Sequence, residues 1–122
     1  MEMKSVSEEI QQQSIASLES TCRKLANAYQ TALDKGASTT LIAKRLDAMR
    51  IGQDSLRNAW KGEPFTADRE KIMLSMNVLR GILPSIEAQI TRAKDGSPQR
   101  TLNQRRLVAL QLAIVSLEQR LI

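Results

Sequence analysis

The chain has 122 residues, 42% hydrophobic and 25% charged, which suits one globular domain (1–122) with a single core and excludes a disordered chain. One cysteine and no histidine exclude an intramolecular disulfide and any zinc site that needs two thiolates. The formal charge of +5 favours acidic partners, and because residues 1–22 hold four acids and one lysine, the positive charge lies in the remainder.

No apolar run approaches the roughly 18 residues of a membrane span. The opening MEMKSVSEEIQQQ is too polar for a signal peptide. A cytoplasmic protein without membrane contact is therefore expected. Tyr29, Trp60 and Phe65 are the only aromatics. A core of Leu, Ile, Met and Ala points to packed helices, since sheets draw on aromatic and β-branched side chains.

Residues 1–5 are expected to fray, and a first helix is predicted over 6–35. Ser5 with Glu8 has the spacing of a capping box, with Ser7 as the other candidate start. Ile15, Leu18, Cys22, Leu25, Tyr29 and Leu33 form one apolar stripe, and Gly36 supplies the left-handed residue that ends many helices.

Ser38 or Thr39 opens a second helix over 39–61. Its stripe of Ile42, Leu46, Met49, Gln53, Leu56 and Trp60 recurs at intervals of 4, 3, 4, 3 and 4. Lys61-Gly62-Glu63-Pro64 stops it. The third helix, 67–94, starts at Thr66 with Asp68 and Glu70 in its first turn, where carboxylates suit the helix dipole. Its face is Ile72, Met76, Leu79, Leu83, Ile86 and Ile90. Pro84 interrupts the pattern, which predicts a kinked but continuous helix curving around the core, or else a hinge or local opening that forms a pocket.

Ser97-Pro98 begins the fourth helix, 98–121, with Thr101 and Gln104 as an alternative capping box. Leu107, Leu110, Ile114, Leu117 and Leu121 lie on one stripe, while Val108, Val115 and Ile122 recur every seven residues on a second, with Leu112 beside it. A helix apolar on more than one side must be covered on more than one side. Short loops between four helices predict an all-α, antiparallel up-down-up-down four-helix bundle made of two hairpins. The likeness of residues 40–49 to 101–110 fits such a pairing, although amphipathic helices often echo one another.

No catalytic, metal or cofactor constellation emerges. The acids lie on polar faces, at caps or in loops, except Glu118, which falls between the two stripes of the last helix and is expected to pair with an arginine. Cys22 sits on an apolar stripe, where a free cysteine behaves as a small hydrophobe. Two surfaces are candidates for binding. The second stripe of the last helix (Val108, Leu112, Val115, Ile122) is a candidate interface for a protein partner or for a homodimer. The end of the bundle that gathers Lys35, Lys44 and Arg45 with Arg92, Lys94, Arg100, Arg105 and Arg106 is either a solvated rim or a contact for phosphate backbone of nucleic acid. The expected function is that of a non-enzymatic interaction protein, with nucleic-acid binding as the alternative.

Overall fold

The computed structural model describes residues 2–122. Among them are four helices and no strand: α1 (Glu8–Asp34), α2 (Thr40–Lys61), α3 (Arg69–Arg92) and α4 (Pro98–Gln119), preceded by a 3-10 turn at Met3–Ser5. None of these helices is long and apolar enough to cross a membrane. The all-α four-helix bundle read from hydrophobic periodicity is the observed fold.

Local hydrogen bonding decides where each helix starts. Ser7, not Ser5, caps α1, its Oγ accepting from the Ile10 N–H at 3.2 Å. The Ser5 hydroxyl is instead spent on the Glu2 carbonyl at 2.7 Å. Asp68 caps α3 by accepting from Lys71 N–H, two residues beyond the expected Thr66, because a carboxylate at that position satisfies a free amide and complements the dipole. Ser97 caps α4 and leaves Pro98 at its first position; Thr101 turns its hydroxyl back to the Ser97 carbonyl. Neither Ser38 nor Thr39 caps α2 through a side chain: Thr39 itself is in the helical region, and its carbonyl accepts from Ala43 N–H. Gly62 ends α2 in the left-handed region, with φ at 72°.

The segment before α1 is docked on the bundle as a 3-10 turn over Met3–Ser5. Met3 is only 7% exposed, and its carbonyl accepts from the Trp60 indole at 3.0 Å. Apolar burial and this hydrogen bond both oppose the entropy gained by a loose end. Helix α3 runs unbroken through Pro84, which faces solvent, so the missing amide leaves no buried carbonyl stranded.

The hairpins are antiparallel. Cys22 donates its S–H to Gln53 and Glu19 pairs with Arg57 along α1 and α2, while Arg69 reaches the Leu121 carbonyl and Arg100 the Ala93 carbonyl at opposite ends of α3 and α4. Helices α2 and α4 meet across the diagonal. Gly52 faces Ala113, and Ser55 Oγ lies 2.6 Å from Ser116 Oγ, so the two run in parallel register. Ala48, Ala109, Ala113 and Ser116 are all buried there, and such small side chains let the backbones approach. The approach is so close that a Cβ on Gly52 would stand 3.1 Å from Ala113 Cβ and 3.2 Å from Leu79 Cδ1.

Helix α4 consequently packs against all three other helices, as does α2, while α1 and α3 lie apart on the long diagonal. The account of α2 as single-faced is corrected by this contact. On α4, Ala109 and Ser116, which lie off both apolar stripes, are buried, and Arg120 turns to the Ser55 side. The Arg120 guanidinium donates to Ser55 Oγ at 2.7 Å, the Ser55 carbonyl at 3.0 Å and Asn58 Oδ1 at 2.8 Å, and stacks 4.0 Å above the Phe65 ring. Burial lowers its pKa, and these acceptors compensate the partly desolvated charge. Glu118 pairs with Arg80, as its place between the stripes predicts.

The helices also cross obliquely. Lys71, in the first turn of α3, pairs with Asp47 at 2.8 Å. A strictly antiparallel α3 would set that turn against the last turn of α2, about 20 Å further along.

Candidate functional site

The second stripe of α4 is only partly a surface. Leu112 is 3% exposed and belongs to the core, and Val115 packs against the same cluster. Val108 (39%) lies midway along α4, Ile122 (104%) lies beyond its last turn, and Val115 between them is partly buried. Central placement against α1, α2 and α3 accounts for the apolar residues that one stripe could not hold. Of the four candidate interface residues, Leu112 is therefore inside, while Val108, Val115 and Ile122 differ widely in exposure.

The predicted basic end is divided in a similar way. Lys44 lines a hollow between α2 and α3 beside the Asp47–Lys71 ion pair. Arg105 lies on the other side of α4, sharing a hollow with Ile10, Gln13, Ser14 and Val108, because the start of α1 crosses that half of α4. Arg100 is held by Asp95 at 2.9 Å and by the Ala93 carbonyl. Lys35, Arg92 and Lys94 are exposed on or near the connecting loops and line none of the hollows described here.

Arg45 and Arg106 do converge, and Lys24 joins them. The three line a hollow of about 410 Å³ set between α1 and α3, with α2 and α4 beneath. Its apolar lining is Leu25, Met49, Ile82 and Ile86, of which Met49 and Ile86 are core residues and the other two are partly buried against that core. Thr21, Ser85 and Gln89 add neutral polar edges. No carboxylate lines it.

Among the described residues, the guanidinium of Arg106 makes a single hydrogen bond, from Nη1 to Asn103 Oδ1 at 3.3 Å, and its Nε is buried without a partner. A buried donor left unmatched is costly, and a guanidinium has capacity for several acceptors. The site thus combines three cations, an apolar floor and spare donor capacity, with nothing of its own to neutralise the charge.

The gap between α1 and α3 explains why the hollow exists. With α2 and α4 drawn together by small side chains, the outer helices cannot close over every part of the pair. Residues Ile82, Ser85, Ile86 and Gln89, on either side of Pro84, line the hollow from α3, which is an unbroken helix there, so this wall is a regular helix face and not a local opening at the proline. Lys24 escaped sequence reasoning, although Thr21, Lys24, Leu25 and Ala28 have the 3, 1, 3 spacing of one helix face.

The remaining chemistry is sparse. Cys22 is half-buried, its S–H directed at Gln53 Oε1, and burial raises its pKa, which keeps it a thiol at neutral pH. Among the described residues no cluster of three His, Cys, Asp or Glu side chains is placed to hold a metal ion. Fold and site together define a class: a four-helix bundle with a basic, apolar-floored groove between its outer helices. Compared with known proteins, the chain matches no family model, no curated protein and no solved structure.

Proposed function

We propose that this is a non-enzymatic interaction protein whose Lys24–Arg45–Arg106 groove receives an acidic segment of a protein partner. The observation that carries the reading is the convergence of three cations from three helices around an apolar floor without one lining carboxylate. Charge complementarity steers such an encounter, and the buried floor supplies the contact area that phosphate binding would not need. Self-association through the last helix forms no part of the reading, since its central residue Leu112 is packed inside.

The experiment compares proteins retained at physiological salt by the wild-type chain and two double charge reversals. Lys24→Glu with Arg45→Glu should lower retention of the acidic partner at least tenfold. Lys44→Glu with Arg105→Glu, an equal change in net charge outside the groove, should leave it nearly intact. All four side chains are exposed, so the fold is expected to survive both changes. Equal loss from the two variants contradicts the proposal. A salt-sensitive shift of generic duplex DNA or RNA under the same conditions, weakened by Arg105→Glu, would favour phosphate-backbone binding instead.

A further inference from the structure

Resting on that reading of the groove, we infer that its occupant is a short amphipathic helix with two aliphatic side chains one turn apart, one acidic flank and one neutral flank. The walls set the length. On α1 the lining runs from Thr21 to Ala28 and on α3 from Ile82 to Gln89, and each stretch spans about 10 Å at 1.5 Å per residue. That is two helical turns, which accommodates anchors at positions i and i+4 and no longer ladder.

The floor sets the anchor chemistry. Met49 and Ile86 are core side chains showing one surface to the hollow, so they offer dispersion contact and no hydrogen bond. Aliphatic anchors match them. The chain's three aromatic residues do not line the groove, so stacking of nucleobases has no platform here.

The flanks follow from which helix carries charge. Lys24 rises from α1, Arg45 from α2 and Arg106 from α4, whereas α3 contributes only neutral polar side chains, Ser85 and Gln89. A docked helix would therefore turn carboxylates toward α1 and the floor and away from α3, where an acid would gain no cation. One such carboxylate lies within the reach of the Arg106 guanidinium, whose donors are largely unused.

Selection of a randomised peptide library displayed against the purified full chain tests this, followed by titration of enriched peptides into isotope-labelled protein. The expected peptides carry aliphatic residues at i and i+4 with Asp or Glu on one flank only. Their amide shift changes should concentrate at residues 21–28 and 82–89, and Arg45→Glu should weaken them at least tenfold. Peptides that land in the groove without that pattern overturn the helix inference and leave the proposed acidic site standing. Shift changes elsewhere, or no enrichment at all, overturn both.

Discussion

Gly52→Val is expected to destabilise the protein by about 3 kcal/mol, at the upper end for a core overpacked without relief. The site has no slack. Even the first added carbon would stand 3.1 Å from Ala113 Cβ, which is fixed to the α4 backbone, and 3.2 Å from Leu79 Cδ1, the tip of a fully buried side chain. Valine adds two further carbons at that point, so α2 must move away from α4 or Leu79 must leave its rotamer. For a domain of this size such a loss lowers the melting temperature by roughly 10 °C. Gly52→Ala is the informative control. It gains about 1 kcal/mol of helix propensity and meets both neighbours with a single carbon, without valine's two further methyls, so its net effect should be far smaller than that of valine. Ala113→Gly should recover part of the valine penalty in a double-mutant cycle, because it vacates the nearest atom. Thermal denaturation of the four variants provides the check. Independent, additive effects at positions 52 and 113 would contradict the close α2–α4 contact.

Leu112→Ala should cost about 3 kcal/mol, within the range for leucine truncation in a packed core, whereas Val108→Ala should cost less than about 1 kcal/mol. The two residues belong to the same stretch of α4 and were grouped as one candidate surface by their spacing, yet one is 3% exposed and the other 39%. Urea denaturation separates them. The midpoint should fall sharply for Leu112→Ala and barely move for Val108→Ala. Comparable shifts, or a change in mass rather than in stability, would show that the stripe is an interface after all.

These two sites mark the boundary of what hydrophobic periodicity conveys. Helix existence and order were legible because α1, α2 and α3 each carry a stripe of large apolar side chains at 3, 4 spacing, and because Gly36, Gly62 and Gly96 punctuate the chain. The pairing of α2 with α4 was not read, since its signature is small rather than apolar. Ala48, Gly52 and Ser55 on one helix and Ala109, Ala113 and Ser116 on the other repeat the same 4, 3 spacing, and burial of such residues follows from close backbone approach. With α2 counted as single-faced, the extra apolar residues of α4 had nowhere to go but outward. Leu112 was misplaced for that reason.

The candidate site was legible in part. Arg45 and Arg106 were both named, but as members of an end that also held Lys44 and Arg105. Neighbours in sequence are about 100° apart around a helix, so each pair is split between two faces. Here Arg45 and Arg106 turn into the groove while Lys44 and Arg105 turn to separate hollows. Lys24 was missed because α1 was read through its apolar stripe, and nothing local says that the polar residue beside Leu25 will face a gap rather than open solvent. That gap is a consequence of the α2–α4 approach. Missing the small-residue contact therefore hid the groove as well.

A photoreactive side chain placed in turn at Ser85, Met73 and Val108 tests the groove most directly. Ser85 stands on the groove wall, Met73 on the exposed face of α3 beside Glu70 and Leu74, and Val108 in the hollow beside Ile10. Irradiation of the chain in complex with the protein it retains should trap that partner from position 85 and from neither of the others. Trapping from position 73 or 108, with none from position 85, would contradict the assignment of the binding site to the groove between α1 and α3.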